Sequence, residues 1–216
     1  MRRQVTRAVQ TFAGLMISIS LLENAQRSQA FAAEENKALV DARELIANEN
    51  SEEALNLLRE SSTEINEQQL SEYNFLIARA YQELRNNVQA LDYYSRAIQD
   101  NPNSAKAFTN RGLVKGALQD MNGALNDLNQ SIAIDPKIPE THLNLGVTLA
   151  ALNKPEEALK SFNQALDLNE NYADAYRNRG IVYNHLKQTK KACADWRKSQ
   201  QIRPSPDIQK TISTHC

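Results

Sequence analysis

The sequence predicts an all-α stack of antiparallel helix pairs, and three observations predict it. The triplet Asn110-Arg111-Gly112 recurs unchanged as Asn178-Arg179-Gly180, with Asn144-Leu145-Gly146 midway, so each step is 34 residues. A fixed period of this size marks a stacked-repeat architecture. Within each period a small residue is followed twelve positions later by alanine: Ala78 with Ala90, Gly112 with Ala124, Gly146 with Ala158, Gly180 with Ala192. Finally, the 216 residues are 41% hydrophobic but include only six glycines and six prolines. That leaves little room for β-turns or long linkers and favours helices.

Arg2, Arg3 and Arg7 precede an uncharged run over 9–22, and Ala30-Phe31-Ala32 supplies small residues before Ala33. This is the layout of a secretory signal peptide over 1–32. The run is shorter than the roughly 20 apolar residues of a bilayer span. The expectation is therefore export, to a periplasm or an equivalent lumen such as that of thylakoids, or secretion. The alternative is an uncleaved segment that tethers the protein to a membrane.

Four units follow without insertion or deletion, at 71–104, 105–138, 139–172 and 173–206. A weaker copy, carrying Ala42 and Ala54, lies at 35–68. In the unit 105–138 the first helix is predicted to run to about Leu118, with Gln119-Asp120 supplying a turn and a cap for the second. Proline cannot continue a helix, so the second ends near Asp135-Pro136. Pro102 and Pro204 hold the same place, while Pro155 suits the first turn of a second helix.

Laid over this frame, repeat position 24 is bulky (Leu58, Tyr94, Leu128, Phe162, Trp196) and position 27 small (Ser61, Ala97, Ser131, Ala165, Ser199). With Gly or Ala at 8, Ala at 20 and Pro at 32, the pattern resembles the tetratricopeptide repeat over roughly residues 35–206. Departures from it are Asn74 and His142 at position 4 and Lys115 at position 11. The resemblance implies a right-handed superhelical solenoid of about five units whose first helices line a concave groove that usually binds a peptide or another protein. A helix pair cannot bury its apolar face alone, so a stack needs polar ends. Residues 207–216 form a candidate capping helix, with Ile208 and Ile212 spaced to face inward.

If first helices line the groove, family geometry places Asn110, Asn144 and Asn178 at position 6 on or near its surface. Side-chain amides can pair with the backbone of an extended ligand whatever its sequence. They can equally bond within the stack, and both readings satisfy the amide. Leu113, Val147 and Ile181 at position 9, with Gly116, make the middle apolar and open; Phe75 and Leu143 add bulk, and Arg79, Lys106 and Arg177 add charge. An exposed apolar strip usually marks a contact site. The charged clamp by which one subclass of the family holds C-terminal carboxylates is absent, since position 5 offers Phe75, Thr109 and Leu143.

Comparison between units suggests more. Those with Arg111 and Arg179 at position 7 carry Asp127 and Asp195 at position 23; those with Ile77 and Leu145 carry Tyr93 and Ser161. That matched switching predicts helix-to-helix ion pairs. Gly112, Gly146 and Gly180, like Ala78, are expected where helices pack closest, against the alanine at position 20. Cys193 and Cys216 are the only cysteines, and in an oxidising compartment they are expected to form a disulfide that fastens the capping segment; otherwise they are two free thiols.

The three histidines share no repeat position and have no carboxylate or cysteine at metal spacing, and no phosphate loop or nucleophile motif is present. No cofactor, metal or catalytic role is expected. The net charge of −1 gives no basic excess for nucleic acid. The sequence therefore reads as an exported scaffold or assembly factor that binds a polypeptide, with a membrane-tethered or oligomerising structural component as the alternative.

Overall fold

The computed structural model describes residues 36–216, and the expected leader at 1–32 lies outside them. Eleven α-helices occur among the described residues: α1 Lys37–Ala47, α2 Ser51–Glu60, α3 Leu70–Glu83, α4 Asn87–Asp100, α5 Ala105–Ala117, α6 Met121–Ile134, α7 Pro139–Ala151, α8 Pro155–Leu168, α9 Ala173–His185, α10 Thr189–Ile202 and α11 Pro206–His215. Consecutive helices pack as pairs from α1–α2 to α9–α10, and each second helix also meets the first helix of the next pair. First helices touch one another directly along the stack, α5 against α7 and α7 against α9. Between α2 and α3 the period is broken by two short 3-10 turns, Ser62–Glu64 and Glu67–Gln69, the second closed by a capping box between Asn66 and Gln69.

The turn inside each pair is built the same way five times. The residue at repeat position 15 has positive φ in every unit: Glu49, Arg85, Gln119, Asn153 and Lys187. The N–H of the next residue then bonds back across the turn, Asn50 to Leu45 O, Asn86 to Tyr81 O, Asp120 to Lys115 O, Lys154 to Leu149 O and Gln188 to Tyr183 O, at 2.8–2.9 Å. This is the Schellman closure of a helix C-terminus, which usually recruits glycine. Here it is made without one. The residue that closes the first helix also opens the second: Asp120 Oδ1 accepts from Gly123 N–H, and Asn86 Oδ1 from Gln89 N–H.

Between pairs, the chain is extended at Asn101, Asp135, Asn169 and Arg203. The first three side chains accept from the N–H two residues on, in Asn103, Lys137 and Asn171. Such Asx turns stop one helix and aim the next. The prolines expected at these stops, Pro102, Pro136 and Pro204, sit just past the last helical residue.

The core is a line of small-against-large contacts. Ala42, Ala54, Ala78, Ala90, Ala124, Ala158 and Ala192 are fully buried, as are Leu58, Tyr94 and Leu128, with Phe162 and Trp196 nearly so. The expectation that glycine faces the position-20 alanine is corrected in detail. A Cβ on Gly146 would lie 2.6 Å from the Phe162 ring, one on Gly180 2.6 Å from Trp196 Nε1, and one on Gly112 3.0 Å from Leu128 Cγ. The bulky residue at position 24 needs the missing methyl, and the alanine contributes mainly its backbone carbonyl. Gly116 is also corrected. A Cβ there would meet Ala124 Cβ at 4.0 Å, so this position faces the partner helix at ordinary contact distance and does not open the groove.

At the C-terminal end Ile208 is buried and Ile212 packs beside it, both against Ala192 and Trp196. Trp196 also meets His215 edge-on at 5.7 Å, while its indole N–H has no hydrogen-bond partner among the described residues. Cys193 Sγ and Cys216 Sγ lie 2.10 Å apart. No helix among the described residues is long and apolar enough to cross a membrane.

Two glycine substitutions should therefore move stability in opposite directions. Gly146→Ala should overpack Phe162 and destabilise by about 1–3 kcal/mol. Gly116→Ala should stabilise by about 0.5–1 kcal/mol, because it removes backbone freedom at a site with room for a methyl. Urea unfolding of both variants measures this, and equal effects would contradict the assignment of the two glycines.

Candidate functional site

The first helices present one row of large apolar side chains to solvent. Leu113 on α5, Val147 on α7 and Ile181 on α9 are 43%, 44% and 50% exposed. Val114 and Val182, each one residue on from a member of the row, are buried. The helix period explains the contrast: one side of each helix enters the stack and the next position turns outward. Three such residues at one repeat position form a continuous strip. Leu143, expected to add bulk to this strip, does not. It is buried with Leu128, Leu145 and Phe162, since position 5 of α7 turns toward the preceding pair.

The strip adjoins a cavity of about 630 Å³ lined by Phe75, Arg79, Tyr94, Lys106, Asn110 and Glu140, among others. Its charges are mixed. Arg79 reaches Glu83 at 3.4 Å on its own helix, a part-exposed pair of little energetic weight. Tyr94 stands at the floor and donates to Gln82 Oε1 at 2.7 Å. Burial pushes the Tyr94 phenol well above its ordinary value, so it acts as a neutral donor. Phe75 meets Tyr94 edge-on at 5.7 Å.

The three amides differ from one another. Asn110 lies beside the Tyr94 hydroxyl. The side chain of Asn144 makes no hydrogen bond to the described residues. Asn178 donates to Asp174 O on its own helix at 2.8 Å, which commits one donor and leaves its carbonyl as an acceptor. Arg177, one turn before Ile181, is exposed.

Behind the strip, the paired charges lock helices together. Arg111 Nε and Nη2 donate to the two carboxylate oxygens of Asp127 at 2.8 Å, and Nη1 donates to Ser95 Oγ of the preceding unit at 3.2 Å. Arg179 does the same with Asp195 at 2.7 Å and with Asn163 Oδ1 at 2.6 Å. Hydrogen bonding to Asp195 raises the Arg179 pKa further, against an opposing desolvation. Each fork therefore ties a first helix to its own second helix and to the second helix before it. Lys115, a departure from the family pattern, reaches the same Asp127 carboxylate at 2.9 Å. The other departures likewise find partners: Asn74 donates to Asp100, and His142 Nε2 lies 2.8 Å from Pro136 O.

One cluster behind the groove escaped sequence reasoning. Thr109, Ser131 and Thr141, all buried, bring three hydroxyls together at 2.6–3.2 Å between α5, α6 and α7. The residues fall at three different repeat positions in two units, so no periodic signal marks them. Among the described residues, no group of three His, Cys, Asp or Glu could hold a metal ion.

Stacked helix pairs with a row of exposed apolar side chains at one repeat position define a helical-repeat solenoid. Residues 72–104 and 139–172 match models of the tetratricopeptide repeat, so the chain carries tetratricopeptide repeats in these two segments. Solved structures similar to it include TTC0263, a thermophilic TPR protein of Thermus thermophilus, at 20% identity and TM-score 0.69 over 82% of this chain and 96% of that one. MamA of Desulfovibrio magneticus RS-1 is 20% identical with TM-score 0.65, over 81% and 99%. YrrB, a TPR protein with an unusual peptide-binding site, is 22% identical with TM-score 0.62, over 86% and 97%. At these identities the likeness is one of fold. No curated protein sequence matches the chain.

The Arg111–Asp127 fork gives a test of its own. Asp127→Ala strands Arg111 and Lys115 against a buried site and should destabilise by about 3–5 kcal/mol. Replacing Arg111 and Asp127 together by leucines should cost clearly less than the sum of the single changes. A double-mutant cycle by urea unfolding that returns simple additivity would show that the fork contributes no coupling.

Proposed function

We propose that the protein is a binding scaffold that holds a segment of another polypeptide in its concave groove. The observation that carries this reading is the row Leu113, Val147 and Ile181, exposed at matching positions on three adjacent first helices beside the amides of Asn110 and Asn144. Water contact with such a strip is unfavourable at about 25 cal/mol per Å² of apolar surface, and a ligand would relieve it. Adjacent polar rungs would meet the ligand's backbone, which must be hydrogen-bonded once water leaves. YrrB, of similar fold, is described with a peptide-binding site, which accords with the reading.

A photo-crosslinking residue placed at Val147 should form adducts with another polypeptide in cells, and one placed at the exposed Lys160 on α8 should not. Replacing Leu113 and Ile181 by Glu should abolish the Val147 adducts while leaving the fold intact, because both side chains are already solvent-facing. Equal adducts from Val147 and Lys160 would overturn the groove as the binding surface.

The scaffold is proposed to act after export, in an oxidising compartment where Cys193 and Cys216 form a disulfide that fastens α11 to α10. What supports this is the leader-like sequence over 1–32 and the short reach between the two cysteines. Amino-terminal sequencing of native protein should read from Ala33, and both thiols should alkylate only after reduction. An intact Met1 would instead favour the membrane-tethered alternative.

A further inference from the structure

We infer that the ligand is a segment in polyproline-II conformation, with apolar side chains at every third residue, uncharged between them and flanked by an acidic residue. The inference rests on the groove reading above and specifies its occupant. First helices α5, α7 and α9 contact one another directly, and packed helices typically stand about 8–10 Å apart, axis to axis. Leu113, Val147 and Ile181 hold one repeat position on these three helices, so their row is expected to advance by about that step.

A ligand must present apolar groups to match. In a β-strand, residues two apart share a face at roughly 6.6 Å and residues four apart at roughly 13 Å, and neither fits. Residues three apart are correctly spaced in a strand but point to opposite faces. In a polyproline-II helix three residues make one turn of about 9.3 Å, and residues i, i+3 and i+6 share a face. An α-helix advances only about 5.4 Å per turn, so it too falls out of step.

The amides agree with this choice. A polyproline-II backbone makes no internal hydrogen bonds, so its carbonyls and any N–H groups await partners. Asn144 has an uncommitted amide in the middle of the strip, and Asn178 keeps a free carbonyl oxygen. Charge fixes the rest. Ala117, Ala150 and Ala151 flank the rungs, so a charge on the ligand there would lose water without gaining a partner. Arg177 lies beside the last rung, exposed and without an ion-pair partner among the described residues, and complements an acidic flank.

The test uses synthetic peptides and the protein from Ala33 onward, with binding read by fluorescence anisotropy. The first peptide repeats Leu-Pro-Gln with Asp at both ends. A second has the same composition with its leucines adjacent, and a third replaces the Asp residues by Lys. The first should bind, and the second should bind about tenfold or more weakly, as expected when anchors miss their pockets. Arg177→Glu should weaken the Asp-ended peptide and strengthen the Lys-ended one. Val147→Glu should abolish binding, while Lys160→Glu should leave it unchanged. Equal binding of the first two peptides, still lost in Val147→Glu, would overturn the spacing and leave the groove reading intact. No binding, or binding indifferent to Val147→Glu, would overturn both.

Discussion

Everything in this molecule depends on how closely the two helices of a unit can approach. The first helix offers a hydrogen or a methyl at position 8, and the second lays a large side chain across it: Tyr94 on Ala78, Leu128 on Gly112, Phe162 on Gly146, Trp196 on Gly180. A glycine inside a helix is unfavourable by about 1 kcal/mol relative to alanine. Burying an aromatic ring against the backbone offsets that several times over. Because each pair is held this way, successive pairs stack alike, and one outward-facing position per first helix becomes a row. The groove is a product of the packing constraint, repeated.

Much of the architecture was legible because the repeat supplies its own alignment. The register of the 34-residue period located the small and large positions, the prolines marked the stops, and the matched switching of positions 7 and 23 pointed to the Arg–Asp forks. What escaped was set by side-chain direction within a known helix. Leu143 and Leu113 look alike in sequence, yet one packs inward and the other faces water. Gly116 looks like an opening until its absent Cβ is seen to point at Ala124. The hydroxyl cluster of Thr109, Ser131 and Thr141 was invisible because it joins three different repeat positions.

The polar groups inside the stack have a second effect on its mechanics. Each Arg fork spans two units, so it couples the α4 helix to the 105–138 pair and the α8 helix to the 173–206 pair. The junction between α6 and α7 has hydroxyls in place of charge, with Thr109, Ser131 and Thr141 drawing three helices together. Neighbour interactions in a linear array set how far an opening at one point propagates. A hydrogen bond from a charged donor is stronger than a neutral one, and here the remaining guanidinium N–H carries one across alternate junctions, to Ser95 and to Asn163. The array should therefore be stiffer at those two junctions than at the one between them.

Trp196 gives these mechanics an optical signature. It is the sole tryptophan of the chain, and it lies in the last helix pair, under α11 and against the His215 ring. In an array whose parts touch only their neighbours, melting can begin at one end and stop at a weak junction. Indole emission reports the C-terminal end alone, whereas far-ultraviolet dichroism sums every helix. Superimposable denaturation curves from the two would mean that the stack unfolds as one body; a gap between them would measure, in denaturant concentration, how independently its last unit opens.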